Sequence, residues 1–323
     1  MQVLSIVPFH SQFGFYLQFL LSVPNSDPTF RFYIIMAILV VGGNGKTATR
    51  LARFLQGDNI PFLLTSRKGA AGAPAGMPAT KFDWMDKSTW EEPFKFKFVN
   101  GESISAVYIT QPLVPDPWKP MVEFVNFARE KYGVKRFVNV AGSSAQVGGP
   151  GMGKLWEHFI KTKVDYCLLR PSWFMENLSE EFPHTLIRDQ DKIYTACGDG
   201  KIAFISAIDI AAVAYHALVD SEAPNCDYRV LGPELLTYDQ VAEKLSALLG
   251  RKIEHVKLTG EQRYQSLVGA GVPDHLAHFL THIETSTAKG SEALTGDAVV
   301  KVTKRPPRNF DLFAQESLGA WMK

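Results

Sequence analysis

Residues 36–55 read Met-Ala-Ile-Leu-Val-Val-Gly-Gly-Asn-Gly-Lys-Thr-Ala-Thr-Arg-Leu-Ala-Arg-Phe-Leu. An apolar run ending at Val41 passes through a glycine turn into Ala48, Leu51, Ala52 and Leu55, which recur at helical spacing. The chemistry this pattern suits is the holding of a phosphate. Gly42 makes the tight turn, Gly45 lets the backbone approach a pyrophosphate, and Ala48 lets helix and strand touch, while the N–H groups of the first helical turn face the anion. Gly42, Gly43, Asn44, Gly45, Lys46 and Thr47 are therefore the expected cradle. Gly45-Lys46-Thr47 also invites a P-loop reading, but that motif needs a glycine where Val40 stands.

Roughly 20 residues beyond the glycines, a site for NAD usually carries an acid that binds the ribose hydroxyls. Here the chain reads Thr65-Ser66-Arg67-Lys68. A guanidinium grips a 2′-phosphate through two parallel hydrogen bonds and a hydroxyl adds another donor, so Ser66 and Arg67 point to NADP(H) over NAD(H). The alternative is that Arg67 and Lys68 are ordinary loop cations.

Hydride delivery to a carbonyl also needs a proton. Classical short-chain reductases supply it from a Ser and a Tyr-x-x-x-Lys pair on the helix after the fifth strand. The corresponding segment, from Ser143 to Lys161, contains no tyrosine. Ketone reduction by the usual route is therefore not expected. Further along, Arg170-Pro-Ser-Trp-Phe-Met-Glu-Asn177 forms an aromatic and polar loop after the sixth strand, placed to roof a ligand at the carboxyl edge of a sheet. Core packing is the competing account of Trp173, Phe174 and Met175.

These residues need a scaffold. Expected strands end at Val41 and Thr65 and cover 81–84, 105–109, 136–140 and 166–169, with a helix over 121–131 between the fourth and fifth. Strands alternating with helices indicate a parallel sheet flanked by helices. The fold class expected is α/β, a Rossmann-like doubly wound parallel sheet over 36–178 with a smaller C-terminal substrate lobe over 179–323, parts of 200–232 returning to the sheet. Within that lobe the pattern predicts a helix begun by Asp209 and running through Leu218, a strand over Tyr228–Leu231, and a capping box at Thr237-x-x-Gln240.

Thirty-four Lys plus Arg against thirty-three Asp plus Glu give a net charge of +1 over 323 residues. That balance makes no electrostatic case for nucleic acid, and a small molecule becomes the default ligand. Three cysteines without paired spacing fit a reducing, cytoplasmic setting. His275, His278 and His282 lie at helical spacing but lack the companion ligands of a metal site, so no metal is expected. Residues 1–35 are read as an extension outside the fold. They lack the basic start of a secretory signal, and Gln18, Ser22 and a Pro-rich cluster interrupt any membrane span. Met36, directly before the first strand, is a candidate start of translation.

Taken together, the glycine turn, Phe82-Asp83-Trp84, Gly148-Gly-Pro-Gly-Met-Gly-Lys154, Leu169-Arg-Pro-Ser-Trp-Phe-Met-Glu-Asn177 and Leu231-Gly-Pro-Glu-Leu-Leu-Thr-Tyr238 resemble the NmrA-like atypical short-chain reductases, most closely the fungal ergot alkaloid dehydrogenases of the agroclavine and festuclavine type. The resemblance runs from Met36 onward. It implies NADPH-dependent reduction of a cyclic iminium formed from chanoclavine-I aldehyde, an alkaloid precursor prepared by an upstream ene-reductase or isomerase. It also extends the cofactor-binding set to Asp83, Trp84, Gln111, Ser143, Lys154, Met175 and Asn177. An iminium is already electrophilic, so hydride addition yields an amine without a general acid at oxygen. Trp173 and Phe174 are then candidates for stacking on the cation, Glu176 or Glu157 for negative potential, and His158 for a catalytic role. The other function open to the family is an NADP-sensing regulator that turns nothing over.

Overall fold

Seven parallel strands in the order β3-β2-β1-β4-β5-β6-β8 form the central sheet. This is a computed structural model, and it describes residues 36–181 and 183–323. The reading of residues 1–35 as an extension, and of Met36 as a start, therefore concerns a segment outside the described residues. In the first half the elements are β1 (Met36–Val40), α1 (Lys46–Gly57), β2 (Phe62–Ser66), β3 (Ala79–Lys81), α2 (Glu92–Lys95), β4 (Ser103–Ile109), α3 (Trp118–Tyr132), β5 (Arg136–Val140), α4 (Met152–Thr162) and β6 (Asp165–Leu169). The remainder comprises α5 (Pro183–Gln190), β7 (Lys192–Thr195), α6 (Ala207–Val219), β8 (Cys226–Tyr228), α7 (Tyr238–Leu249), β9 (Glu254–Lys257), α8 (Gly260–Gly269), α9 (Asp274–Ala288), α10 (Ala298–Thr303) and α11 (Phe310–Glu316).

The strands are apolar on both faces because both faces are covered, as a parallel sheet requires. On one side Leu51 and Leu55 of α1 pack with Ile210 and Ala214 of α6 and Val299 of α10. On the other, Phe124 and Val125 of α3 join Leu155 and Phe159 of α4. Complete burial of a leucine such as Leu51 stabilises by ~1.5–3 kcal/mol. A third cluster, built from Ile187, Ile193, Val241, Leu245, Phe310 and Trp321, forms the core of the C-terminal lobe. There β7 and β9 pair in parallel. Residues 36–323 nevertheless make one contiguous unit, since β8 returns from the lobe to pair with β6.

Several boundaries differ from the sequence reading, and three of the differences have a specific partner behind them. The third strand is Ala79–Lys81, and the backbone turns away after Phe82, whose N–H donates to Ser66 O. The returning strand is Cys226–Tyr228 rather than Tyr228–Leu231, although its ladder continues irregularly as Val230 N–H donates to Arg170 O at 3.2 Å. Helix α6 is capped by Ser206, whose hydroxyl accepts from Ile208 N–H, and Asp209 sits inside its first turn. The capping box at Thr237 and Gln240 has both of its reciprocal hydrogen bonds.

Candidate active site

The sheet reverses its order of winding between β1 and β4, and the glycine turn follows β1 at that point. Gly42 has φ +85°, and a Cβ there would run into Thr110 Oγ1. Thr110 in turn donates to Val41 O at 3.1 Å, while Gly43 N–H donates to Thr65 O at 2.9 Å. A Cβ on Gly43 would stand 3.0 Å from Leu64 Cβ and Thr65 O. The first two glycines are thus wedged between the ends of β2 and β4. Asn44 and Gly45 are exposed. Gly45 precedes α1 without any side-chain cap, and the first turn holds no acid, so its backbone donors remain available to an anion.

The Thr47 side chain is tied back into the fold: its Oγ1 accepts from the Tyr108 hydroxyl at 2.7 Å in a buried contact. Lys46 forms an ion pair with Glu181, and Arg50 donates to Glu180 Oε1 at 2.5 Å. Sequence reasoning missed both acids, since nothing local in Glu180-Glu181 points 130 residues back.

Past β2, Ser66 Oγ accepts from Lys68 N–H at 3.1 Å and fixes the turn that presents Arg67. The Arg67 side chain is exposed and has no hydrogen-bond or ion-pair partner among the described residues. Asp83 and Trp84 follow the end of β3. Asp83 Oδ1 accepts from Met85 N–H at 2.9 Å, and Trp84 sets its edge against Phe82 and Phe124, so both also organise that turn. Gln111 is exposed beyond the end of β4.

The loop after β6 is more deeply integrated than its sequence suggested. Arg170 donates to Asp227 at 2.8 Å and to Ser143 O at 2.7 Å, with its guanidinium 5.7 Å from the Trp156 ring. Trp173 and Phe174 are half-buried, Trp173 meeting Tyr238 edge-on at 6.3 Å. Met175 is fully buried in the lobe core and its backbone N–H donates to Ile205 O, which corrects its assignment as a cofactor contact. Glu176 is tied into the fold: its Oε1 accepts from Ser206 Oγ and its Oε2 from Ala207 N–H, both at 2.8 Å, so this carboxylate caps α6, and the Arg50 guanidinium stands 3.9 Å from Oε1. Asn177 is half-buried.

On α4 the outcome is mixed. His158 Nε2 lies 2.9 Å from Asn126 Oδ1 on α3, and burial followed by the nearby charge of Arg129 pushes its pKa down. That contact ties its ring to α3 across the helix–helix seam. Glu157 is paired with Lys161 at 3.0 Å, and Lys154 is exposed. No tyrosine occurs on α4. Ser143, beyond the carboxyl end of β5, donates its hydroxyl to Glu292 Oε1 at 2.5 Å. Glu292 lies 149 positions away in no recognisable motif, which left it invisible to sequence reasoning. A hollow of about 260 Å³ near Phe159, Lys163 and Asn225 lies at the amino end of β6, away from these groups. Among the described residues no trio of His, Cys, Asp or Glu converges as a metal site, and no helix is long and apolar enough to cross a membrane.

This sheet order, with an uncapped glycine turn at the winding reversal, defines a Rossmann-like doubly wound fold. No family model matches the chain. It is 42% identical to festuclavine synthase II of Penicillium roqueforti over 88% of this chain and 100% of that protein, and 39% identical to agroclavine dehydrogenase of Claviceps fusiformis over 89% and 99%. Among solved structures, Citrobacter sp. triphenylmethane reductase complexed with NADP(H) superposes with a TM-score of 0.71 at 19% identity, covering 87% of this chain and 99% of that one. An NADPH-dependent quinone oxidoreductase of Escherichia coli complexed with NADPH gives 0.72 at 18%, with the same coverage. The chain belongs to the family of festuclavine synthases and agroclavine dehydrogenases, and is an oxidoreductase.

Proposed function

We propose that this protein binds NADPH and reduces a cyclic iminium derived from chanoclavine-I aldehyde, closing the tetracyclic ergoline of the agroclavine or festuclavine series. Bound NADPH supplies the hydride. The residues fit that cofactor: Gly42 and Gly43 let the turn close against the ends of β4 and β2, Gly45 leaves the helix entry without a side chain, the first turn of α1 has no internal cap, and among the described residues Arg67 is a free guanidinium for a 2′-phosphate. Lys46 would exchange Glu181 for phosphate oxygens. Ser66, Asp83, Trp84 and Gln111 flank the ends of the strands that would meet the adenosine half, and Ser143, Lys154 and Asn177 are assigned to the nicotinamide half.

The observation that carries the choice of substrate is α4 without a tyrosine. A carbonyl acceptor would leave an alkoxide needing a proton, whereas an iminium carbon accepts hydride and becomes a neutral amine. The chain must then position the cation and exclude water, for which the half-buried rings of Trp173 and Phe174 are suited. The names of the relatives support the same reading, and an upstream enzyme would prepare the precursor. The test is incubation with NADPH and chanoclavine-I aldehyde, following cofactor oxidation and the mass of a tetracyclic amine. Tight NADPH binding without oxidation by any iminium would favour a regulator that senses NADP.

A further inference from the structure

Glu292 reaches the carboxyl edge of the sheet from the segment after α9 and is only 7% exposed. One oxygen takes the Ser143 hydroxyl at 2.5 Å; the other, Oε2, is buried with no hydrogen-bond partner among the described residues. An ionised carboxylate buried this deeply ordinarily collects two or three donors. With a single partner the neutral acid is the less costly state: Oε1 then carries the hydrogen and donates it to Ser143 Oγ across the same short contact, the serine hydrogen turns outward, and Oε2 is left as an uncharged carbonyl oxygen. The groups facing it do not change this. Arg170 spends its two terminal nitrogens on Asp227 and the Ser143 carbonyl, its buried Nε makes no bond to Oε2, and Cys197 is a thiol that burial pushes up to about 12. Burial likewise pushes the Glu292 carboxyl up. Ser143 itself lies between exposed Gly142 and Ser144, so the pair leads from a dry carboxyl to the open edge of β5.

A cyclic iminium has a neutral precursor. When an amine closes on an aldehyde the product is a carbinolamine, and it becomes the iminium only by losing its hydroxyl, which needs a proton. We propose that Glu292, acting through Ser143, supplies that proton and completes iminium formation within the site. The inference rests on the iminium reading above. The carbon–oxygen bond breaks as the nitrogen lone pair forms the C=N bond. The departing hydroxyl takes the hydrogen of Ser143 Oγ and leaves as water, and Ser143 takes the hydrogen of Glu292. A neutral acid and a neutral carbinolamine thereby become a carboxylate and a cation side by side, so the dry site never holds an unmatched charge. The arrangement also accounts for a serine kept without its tyrosine: the acid acts on an oxygen that departs, before reduction.

The test compares two forms of one substrate in single turnovers with excess NADPH: amino-aldehyde equilibrated at neutral pH, and the same compound first acidified to its iminium and then mixed. Glu292→Gln and Ser143→Ala are each expected to slow the neutral form at least tenfold more than the preformed iminium, and to flatten the wild-type decline in rate as pH rises above the usual carboxylate range. Infrared difference spectra of the wild type at neutral pH should show the carbonyl stretch of a protonated carboxylic acid that Glu292→Gln lacks. Ser143→Ala, which keeps the carboxyl, carries the same kinetic comparison should Glu292→Gln fail to fold by thermal melting. Equal slowing of both forms, or no such infrared band, overturns the proposal alone. A wild type that oxidises NADPH with neither form overturns the iminium reading and this proposal together.

Discussion

Tyr108 on β4 donates its hydroxyl to Thr47 Oγ1 on the first turn of α1, 2.7 Å away and out of contact with solvent. The bond crosses the line between β1 and β4 where the sheet reverses its winding, and so ties the glycine turn and its helix to the neighbouring strand. Removing the hydroxyl with Tyr108→Phe strands Thr47 Oγ1 without its donor. The expected loss is about 1 kcal/mol, by analogy with single buried neutral hydrogen bonds. Urea unfolding measures it, and fluorescence titration should show weaker NADPH binding. A variant as stable as the wild type would mean that the bond contributes nothing to the cradle.

Arg67 has nothing to hold among the described residues, which leaves its guanidinium for a 2′-phosphate. Arg67→Ala should weaken NADPH by roughly tenfold to a hundredfold, the range for a charge-assisted hydrogen-bond pair, and leave NADH affinity nearly unchanged. Parallel titrations with both nucleotides decide the matter. Equal losses would remove the basis for preferring the phosphorylated carrier.

Glu176 serves the fold through Ser206 and Ala207. Glu176→Ala leaves two buried donors unsatisfied and should destabilise the protein by about 2–4 kcal/mol, combining a lost cap with a lost charge-assisted bond. Calorimetry should therefore register the change before kinetics does. Intact stability with a raised KM for a cationic substrate would instead return this carboxylate to the substrate's vicinity.

Asp209, buried in the first turn of α6, accepts from Arg308 N–H at 2.8 Å, and burial pushes its pKa up to about 6. A carboxyl that holds its proton more tightly when folded adds stability while it is protonated in both states, and that contribution is lost as pH rises from the ordinary carboxylate range through about 6. Asp209→Asn keeps the acceptor for Arg308 and removes the titration. Relative to the variant, the wild type should lose stability across that window. Parallel pH–melting curves for the two proteins would refute the assignment.

Much of the glycine turn and its helix was readable because their demands are local. Gly42 and Gly43 must be bare where β2 and β4 press on the turn, and an uncapped helix start is visible in the residues that surround it. The Thr237–Gln240 box is equally self-contained. Readability fails where a side chain's partner lies far along the chain. Ser206 and Asp209 are both good cap residues, and what draws Asp209 inward is the backbone of Arg308, 99 positions on. Met175 looked chemically available until the lobe core enclosed it, and the bond from His158 to Asn126 on α3 joins residues 32 positions apart. Glu176, in a stretch that otherwise marks the family, proved to be a helix cap for the same reason.

The return of Cys226–Tyr228 to the edge of β6 braids the two halves of the chain. Everything from α5 through α6 is threaded between two strands that lie side by side, so a gene cut after 178 would not release a self-sufficient nucleotide module, and a single crossover between relatives could not transplant one protein's specificity intact. Divergence of substrate within such an architecture must proceed by remodelling loops in place, with the whole molecule inherited as one indivisible piece.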